Sequence, residues 1–339
     1  MKTSNLFSIL IVTTLFALLI ACNENIFEDN SGNVERNEGK ENKKVIEEEI
    51  TENSSEKNKA ILGLEEDMIF IKEKAPFPSY IKNPDEGPWH HGLFLARSED
   101  GLKFSEEKMF LEHAGVANLI LTSENILIAT FQYFSFINKK MFDVIAYATS
   151  EDYGNTWSSV KPIKIGGLNK GSNPVDPTLV ELDDKTFRLY FTYHEHGSQY
   201  PQLFSAHGDT VTSIFYGEGQ QLQSDGITLD PAIVRFDSIW HHYTVKHDEQ
   251  FSNFLNNIHS VSQTGLDFQL VAEININMPM LGDVIQDEDG VRFYNGENSA
   301  FSTDGYDWTI EEGQRVQGAD PGVARLPDGS YIMIYTNIK

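Results

Sequence analysis

Three Asp-Pro steps are the feature of this sequence best suited to chemistry. They begin at Asp176, Asp230 and Asp320, and each leads into a short apolar segment, a turn and a second segment rich in aromatic residues. Carboxylates crowded together at low dielectric raise one another's pKa, so one acid stays protonated beside an ionised partner. General acid–base catalysis needs such a pair. Because Asp-Pro is also a good turn and capping device, a purely structural role stays open.

A second polar group surrounds two histidines. His194 and His196 are two residues apart and therefore point to the same side of an extended segment, with Glu195 between them. Catalytic zinc usually takes three such ligands. Nothing in the sequence fixes a third ligand, so we predict no metal site and no required cofactor. A sugar-binding or structural role for the histidines is favoured, and a bound divalent cation stays an alternative.

The Asp-Pro steps belong to a repeated unit. A weaker copy starts at Gly282-Asp283, and the weakest starts at Val116-Ala117 without the Asp-Pro. Copies spaced by roughly forty to sixty residues indicate a repeat architecture, in which the same position of each copy is brought to one place.

A second signature alternates with the first and has the form Ser-x-x-Gly or Ser-x-Asp-x-Gly followed by an aromatic residue. Copies lie at 98–104, 150–157, 262–268 and 302–308, with a degraded copy at 205–212. Gly accepts the left-handed turn residue, while Ser and Asp bond the turn backbone, so the motif suits a hairpin. These segments resemble the Asp-boxes of sialidases and other propellers. We treat them as structural turns.

The alternation of the two signatures predicts an all-β fold, a five-bladed β-propeller of four-stranded blades. The domain begins with an outer hairpin near Leu93 and ends with an inner hairpin at Tyr335. The last inner hairpin can complete a blade only by pairing with the first outer hairpin, which joins the two ends and protects exposed strand edges. A sixth blade would need a further pair of strands within 65–90.

This topology predicts which residues share a face. The starts of the innermost strands and the ends of the second strands meet at the mouth of the central channel, which we call the funnel, and the hairpin turns lie on the opposite face. Asp176, Asp230 and Asp320 are the candidate catalytic residues. Trp89, Tyr193, Tyr243 and Tyr335 are candidate apolar surfaces for a sugar ring. The candidate substrate-binding residues are Trp89, His90, Tyr193, His194, Glu195, His196, His247, Asp283 and Glu297.

The first 22 residues read as a secretory signal. Lys2 precedes an apolar run over 6–20, and Leu19-Ile20-Ala21-Cys22 resembles a bacterial lipobox, in which the cysteine is lipidated. An ordinary signal peptide with an incidental cysteine is the alternative. Residues 23–64 are acidic and nearly free of aromatics, as in a disordered tether, and 65–339 hold the propeller. We therefore expect a secreted, lipid-anchored protein of the cell envelope, at the outer membrane or cell surface.

Charge and cysteine content limit the partners. The formal net charge of −25 would repel a phosphate backbone, which argues against nucleic-acid binding. Cys22 is the only cysteine, so the chain has no internal disulfide. We expect a monomer that contacts the membrane through its lipid anchor only.

Over about residues 90–339, the predicted domain resembles the five-bladed glycoside hydrolases of the arabinanase and β-xylosidase group and of the invertase and levansucrase group. The resemblance implies that Asp320 is the base or nucleophile and that Asp176 orients the substrate or tunes pKa values. Asp230 stands where those families place a general-acid glutamate and is one methylene shorter. Glu195 and Glu297 are possible substitutes on the same face.

The resemblance implies a surface-anchored propeller that acts on or binds a glycan through a carboxylate-lined funnel. The alternative is a non-catalytic lipoprotein that binds carbohydrate or protein. Sialidase activity is disfavoured, because sialidases clamp a substrate carboxylate with arginines. Here Arg188, Arg235, Arg292 and Arg325 fall within strands or near inner turns, mostly away from the funnel. The sugar, its linkage and the stereochemistry of cleavage are not encoded in any visible motif.

Overall fold

The computed structural model describes residues 87–248 and 254–337. The predicted signal segment 1–22, the predicted tether 23–64 and residues 65–86 of the predicted domain lie outside the described residues. Across the described ranges, none of the helices reaches the length and apolar character that a membrane crossing demands.

The described strands form five sheets, which are antiparallel except for one added outer strand in blade three, so the predicted five-bladed β-propeller is confirmed. From the innermost strand outwards, blade one consists of β20 (Ala319–Arg325), β21 (Tyr331–Asn337), β1 (Gly92–Ser98) and β2 (Ser105–Glu112). Blade two consists of β3 (Ala114–Leu121), β4 (Leu127–Phe134), β5 (Phe142–Ser150) and β6 (Lys161–Pro162).

The remaining blades follow in chain order. Blade three consists of β8 (Val175–Glu181), β9 (Phe187–Tyr193), β10 (Gln202–Gly208) and β11 (Ile214–Gln220), with β7 (Lys164–Gly166) added parallel to β11 at its outer edge. Blade four consists of β12 (Ile227–Phe236), β13 (Ile239–His247), β14 (Phe254–Ser262) and β15 (Gln269–Ile274). Blade five consists of β16 (Asp283–Asp287), β17 (Gly290–Tyr294), β18 (Ser299–Ser302) and β19 (Thr309–Ile310).

The two ends of the domain meet in blade one, as the order of hairpins predicted. Strands β1 and β21 pair without a register shift from Gly92 opposite Asn337 to Ser98 opposite Tyr331. The last inner hairpin thereby gains its outer half from the beginning of the domain. Closure leaves no inner strand edge open to solvent in this blade.

The core lies between the blades. Every residue of β4 and of β9 is buried, because a second strand is covered on both of its faces by neighbouring blades. This burial explains why these strands read as continuous apolar runs instead of alternating ones.

The Ser-led segments form the turns between third and fourth strands and satisfy much of their own backbone. Ser98 Oγ accepts the amide of Gly101 at 3.0 Å, and Asp100 Oδ1 accepts the amides of Leu102 and Lys103, both at 2.8 Å. The turn between β18 and β19 repeats this arrangement around Ser302 and Asp304. These turns lie far from the inner-strand starts.

Candidate functional site

Each inner strand that carries an Asp-Pro step begins with a bulge. Asp176, Asp230 and Asp320 have φ angles of 56°, 51° and 46°, and the ladder to the second strand shifts register at each of them. Asp tolerates this left-handed conformation, and the following proline, which has no amide proton, suits an unpaired bulge position. Val116 of blade two has a φ of 48° at the matching bulge.

The bulges bring the three aspartates together on the propeller axis. We call Asp176, Asp230 and Asp320 the Asp triad. They line a cavity of about 10 Å³ together with Val116, Gly282 and adjacent residues. A space of this size holds about one water molecule, so a sugar ring must lie above it. Asp230 and Asp320 are each 8% exposed, whereas Asp176 is 1% exposed and lies behind them.

Direct contacts couple the members of the triad. The backbone amide of Asp230 donates to Asp176 Oδ2 at 3.4 Å, and the Asp230 and Asp176 carboxyls are hydrogen-bonded to each other. Thr192 of β9 donates a further hydrogen bond to Asp176. Asp176 and Asp230 are therefore closer than the ~5–5.5 Å or ~6.5–9.5 Å between catalytic carboxyl groups in glycosidases. They act as one proton-sharing unit, with Asp320 as the separate partner.

Burial and mutual repulsion raise all three pKa values. Burial raises the pKa of Asp320 to about 7, with the charge of Asp176 adding to the effect. Burial raises the pKa of Asp176 to about 6, although hydrogen bonds from Thr192 and Asp230 oppose the rise. The pKa of Asp230 lies well above its usual value, through burial and then the charges of Asp176 and Asp320. Near neutral pH the triad thus retains a proton, held mainly by Asp230.

Two carboxylate oxygens of the triad lack partners. Asp176 Oδ1 and Asp320 Oδ2 are buried and accept no hydrogen bond from any described residue. Buried polar atoms are nearly always bonded, and an orphaned one costs free energy. The triad is therefore unsaturated, as expected of a site that receives a donor from outside the protein.

Hydrogen-bonded side chains cross the axis next to the triad. Asn118 of blade two donates to Asp283 Oδ1 of blade five at 3.3 Å and accepts the amide of Leu179 at 2.9 Å. Asp283 Oδ2 accepts the amide of Val323 at 2.9 Å. We call Asn118 and Asp283 the axial plug. Burial raises the pKa of Asp283 to about 7, against the hydrogen bonds from Val323 and Val284.

A larger cavity of about 370 Å³ lies on the turn side of the plug. It is lined mainly by apolar residues of the inner strands, with Asp283 at its boundary and Arg235 and Arg325 among the lining residues. Asn118 lines both cavities, which places the plug between them. We assign the functional site to the smaller cavity, because it alone holds several carboxyl groups with unpaired oxygens.

The other predicted carboxylates lie apart from the triad. Asp283 follows Gly282, the residue that lines the triad cavity in blade five, and belongs to the plug instead. Glu195 accepts a hydrogen bond from the Asn169 side chain. Glu297 is half-buried, and its carbonyl accepts the amide of Arg315. Neither Glu195 nor Glu297 is among the described residues that line the triad cavity.

The predicted histidines lie around the funnel in separate settings. His194 Nε2 is 3.1 Å from the carbonyl of Ser198, and His196 is exposed. His247 is buried at the end of β13, and burial lowers its pKa to about 4. His90 is exposed on a short 3-10 helix, Pro88–His90. In the part of the chain described, no three His, Cys, Asp or Glu side chains are grouped to hold a metal ion.

The predicted aromatic platforms pack inside the protein. Trp89 is 5% exposed and its ring contacts those of Phe134 and Phe142. Tyr193 is 3% exposed and donates its hydroxyl to the carbonyl of Asn169. Tyr243 and Tyr335 are fully buried. These rings therefore support the walls of the propeller, and the described funnel offers His90 and Phe136 as its accessible rings.

Sequence reasoning missed a fourth carboxylate. Asp143, at the start of β5, is buried, has a φ of 59°, and accepts hydrogen bonds from Gln132 at 2.7 Å and Asn173 at 3.0 Å. Its charge contributes to the raised pKa of Asp176. No other blade repeats an acid at this position, so the repeat gave no signal for it. Asn118, by contrast, matches Thr178 in the repeat, and an alignment of the copies could have indicated it.

Comparison with known proteins gives similarity in fold. No family model matches the chain, and no curated protein matches its sequence. A family 117 glycoside hydrolase of the marine bacterium Zobellia galactanivorans is 14% identical, over 74% of this chain and 91% of that one, with a TM-score of 0.45. An α-L-arabinofuranosidase from Clostridium thermocellum is 12% identical, over 64% and 80%, with a TM-score of 0.47. A Hadza microbial sialidase is 14% identical, over 66% and 54%, with a TM-score of 0.45.

Proposed function

We propose that this protein binds and hydrolyses a glycan in its funnel, with the Asp triad as the reacting group. One observation carries the proposal. Three buried carboxyl groups with raised pKa values line a space of about 10 Å³, and two of their oxygens lack a hydrogen-bond partner. A fold could dispense with such an arrangement, whereas acid–base chemistry needs it.

The roles follow from exposure and protonation. Asp230 holds the proton and is accessible from the funnel, so it serves as general acid and protonates the leaving oxygen. Asp320 is equally accessible and serves as base, taking a proton from the water that attacks the anomeric carbon as the glycosidic bond breaks. Asp176 is inaccessible and keeps the Asp230 proton in place.

The proposal extends to cellular location. We propose that Cys22 is lipidated and that residues 23–64 tether a monomeric domain to the cell envelope, facing extracellular glycans. The support is the Leu19-Ile20-Ala21-Cys22 sequence with its single cysteine. Growth with an alkyne-bearing fatty acid should label the wild-type protein and leave Cys22→Ala unlabelled. Equal labelling of both would contradict lipidation at this residue.

The test of the activity is a hydrolysis screen. Wild type, Asp320→Asn and the control Asp183→Asn are incubated with a panel of plant, algal and microbial polysaccharides, and released reducing ends are measured. Asp183 lies on an inner turn with a side chain 85% exposed. We expect hydrolysis by wild type and Asp183→Asn, and a rate roughly 100-fold lower for Asp320→Asn, since acid–base groups contribute about 10²–10⁴-fold.

The same screen distinguishes hydrolysis from the alternative function, which is glycan binding without cleavage. A glycan that co-sediments with wild type but is never cleaved assigns a binding role, which the short Asp230 side chain would explain. Neither cleavage nor binding across the panel contradicts the proposal.

A further inference from the structure

Among the described residues that line the triad cavity there is no Lys, Arg or His side chain, so no basic group in this lining balances its hydrogen-bond acceptors. Asp176 Oδ1 and Asp320 Oδ2 are buried and unpartnered, while the Asp230 carboxyl is already hydrogen-bonded to Asp176. An ionised carboxylate only accepts hydrogen bonds. A ligand group that saturates these oxygens must therefore be a donor, such as a hydroxyl or an ammonium group.

The residues behind the triad add negative charge. Asp143 accepts hydrogen bonds from the side-chain amides of Gln132 and Asn173, and its charge acts on Asp176. At the funnel side of blade four, Lys246 binds Asp225, which engages its ammonium group in an ion pair. Among the described residues, the charged side chains that line the cavity are thus all carboxylates.

Every arginine of the described ranges has its guanidinium group engaged at or near the hairpin turns, on the opposite face. Arg97 bonds the carbonyl of Tyr153, Arg188 bonds Glu218 and the carbonyl of Thr264, and Arg235 bonds Asp183. The other three arginines are held in the same way. Arg292 bonds Asp287 and Glu311, Arg315 bonds the carbonyl of Leu102, and Arg325 lies 3.5 Å from Asp287 and from Glu288.

We infer that the funnel selects its ligand by charge: it accepts glycans built of uncharged or amine-bearing sugars and rejects those that carry carboxylate or sulfate groups near the triad. The inference rests on the proposed function and names its substrate class. An anionic sugar would bring acceptors to a site that needs donors, and like charges repel strongly at low dielectric. The net charge of −25 adds longer-range repulsion of anions.

The test compares oligosaccharides matched in linkage and length. One set contains glucose, glucosamine or glucuronic acid units, and a second contains galactose, galactosamine or galacturonic acid units. Binding to the wild-type protein is measured by titration calorimetry at pH 7. In whichever set binds, we expect the uronic acid member to bind at least about tenfold more weakly than the uncharged member, since like-charge contacts cost more than ~1.4 kcal/mol.

Two variants link the selectivity to the triad. Asp320→Asn removes the carboxylate that we assign as base and should narrow the ratio between uncharged and uronic acid ligands, whereas Asp183→Asn on the turn face should leave the ratio unchanged. Circular dichroism checks that both variants fold. A uronic acid member that binds as tightly as its uncharged match, or an unaltered ratio in folded Asp320→Asn, overturns the inference while leaving glycan binding intact. Failure of all members of both sets to bind contradicts the proposed function itself.

Discussion

The bulge at the start of each inner strand requires a left-handed backbone and does not require a carboxylate. Val116 adopts a φ of 48° there, beside 46–56° for the three aspartates, although a β-branched residue in this region is strained. The fold therefore tolerates even valine at this position. The bulge conformation therefore does not require the three carboxyl groups, which supports a chemical role for them.

Titration of Asp320 should be visible in protein stability. Its pKa rises from the usual 3.8 to about 7 on folding, so the folded protein binds this proton more tightly than the unfolded chain does. The free energy of unfolding contributed by Asp320 is therefore lost as pH rises from about 4 to about 7. Asp320→Asn should gain stability relative to wild type over this range, on the order of 2–4 kcal/mol at pH 8 compared with pH 4.

Urea unfolding of both proteins at pH 4, 6 and 8 measures this difference. Comparing the variant with the wild type cancels groups outside the triad, such as His242, whose pKa burial lowers to about 3 and whose contribution has the opposite sign. A difference in unfolding free energy that stays constant with pH would show that Asp320 titrates normally.

At the level of strands, the axial plug ties blades together that are not neighbours. The bond between Asn118 and Asp283 joins blades two and five across blade one, and the amide of Leu179 adds blade three. The plug also separates the triad from the larger cavity. It thereby gives the funnel a closed floor beneath the reacting groups.

Asn118→Ala should destabilise the protein by about 2–4 kcal/mol, because it leaves the buried Leu179 amide and one Asp283 oxygen with fewer partners. Asn256→Ala is the matched control, since that exposed asparagine bonds only the exposed Glu273. Chemical denaturation of both variants measures the effect. Similar stability of the two variants would mean that the plug contributes little.

The repeat made the strand arrangement predictable, but it did not predict the contact between the two residues of the axial plug. Equivalent Asp-Pro positions had to converge, because each starts an inner strand of a closed ring. The Gly282-Asp283 copy shows where prediction from the repeat fails. Its carboxylate comes one residue later, and a shift of one residue in a strand turns the side chain to the other side. Asp143 could not be predicted from the repeat, because the matching bulge in the third strand of blade four carries Leu255 instead of an acid.

For the whole molecule, stability depends on closing the ring. Ile334 of β21 lies between Leu95 of β1 and Gly322 of β20, and its side chain is fully buried. A single substitution in the pairing of β1 with β21, which the order of hairpins predicted, can therefore disrupt the closure of the propeller.

Ile334→Asp should abolish cooperative folding, because a buried unpaired charge costs more than ~4 kcal/mol and open blades expose their strand edges. Ile310→Asp, on the outer strand β19 at 39% exposure, should change stability only slightly. Far-ultraviolet circular dichroism during urea unfolding distinguishes them. A folded Ile334→Asp protein with a single transition near that of the wild type would contradict the role of closure.

The central claim is that the Asp triad at the axis reacts with a glycan. The most direct measurement is the ratio of hydrolysis rates of Asp183→Asn and Asp320→Asn on one glycan that the wild-type protein cleaves. Both variants remove one carboxylate, on the turn face and at the axis respectively, so their net charges match. We predict a ratio of roughly 100 or more. A ratio near one, with both variants folded, would contradict the account.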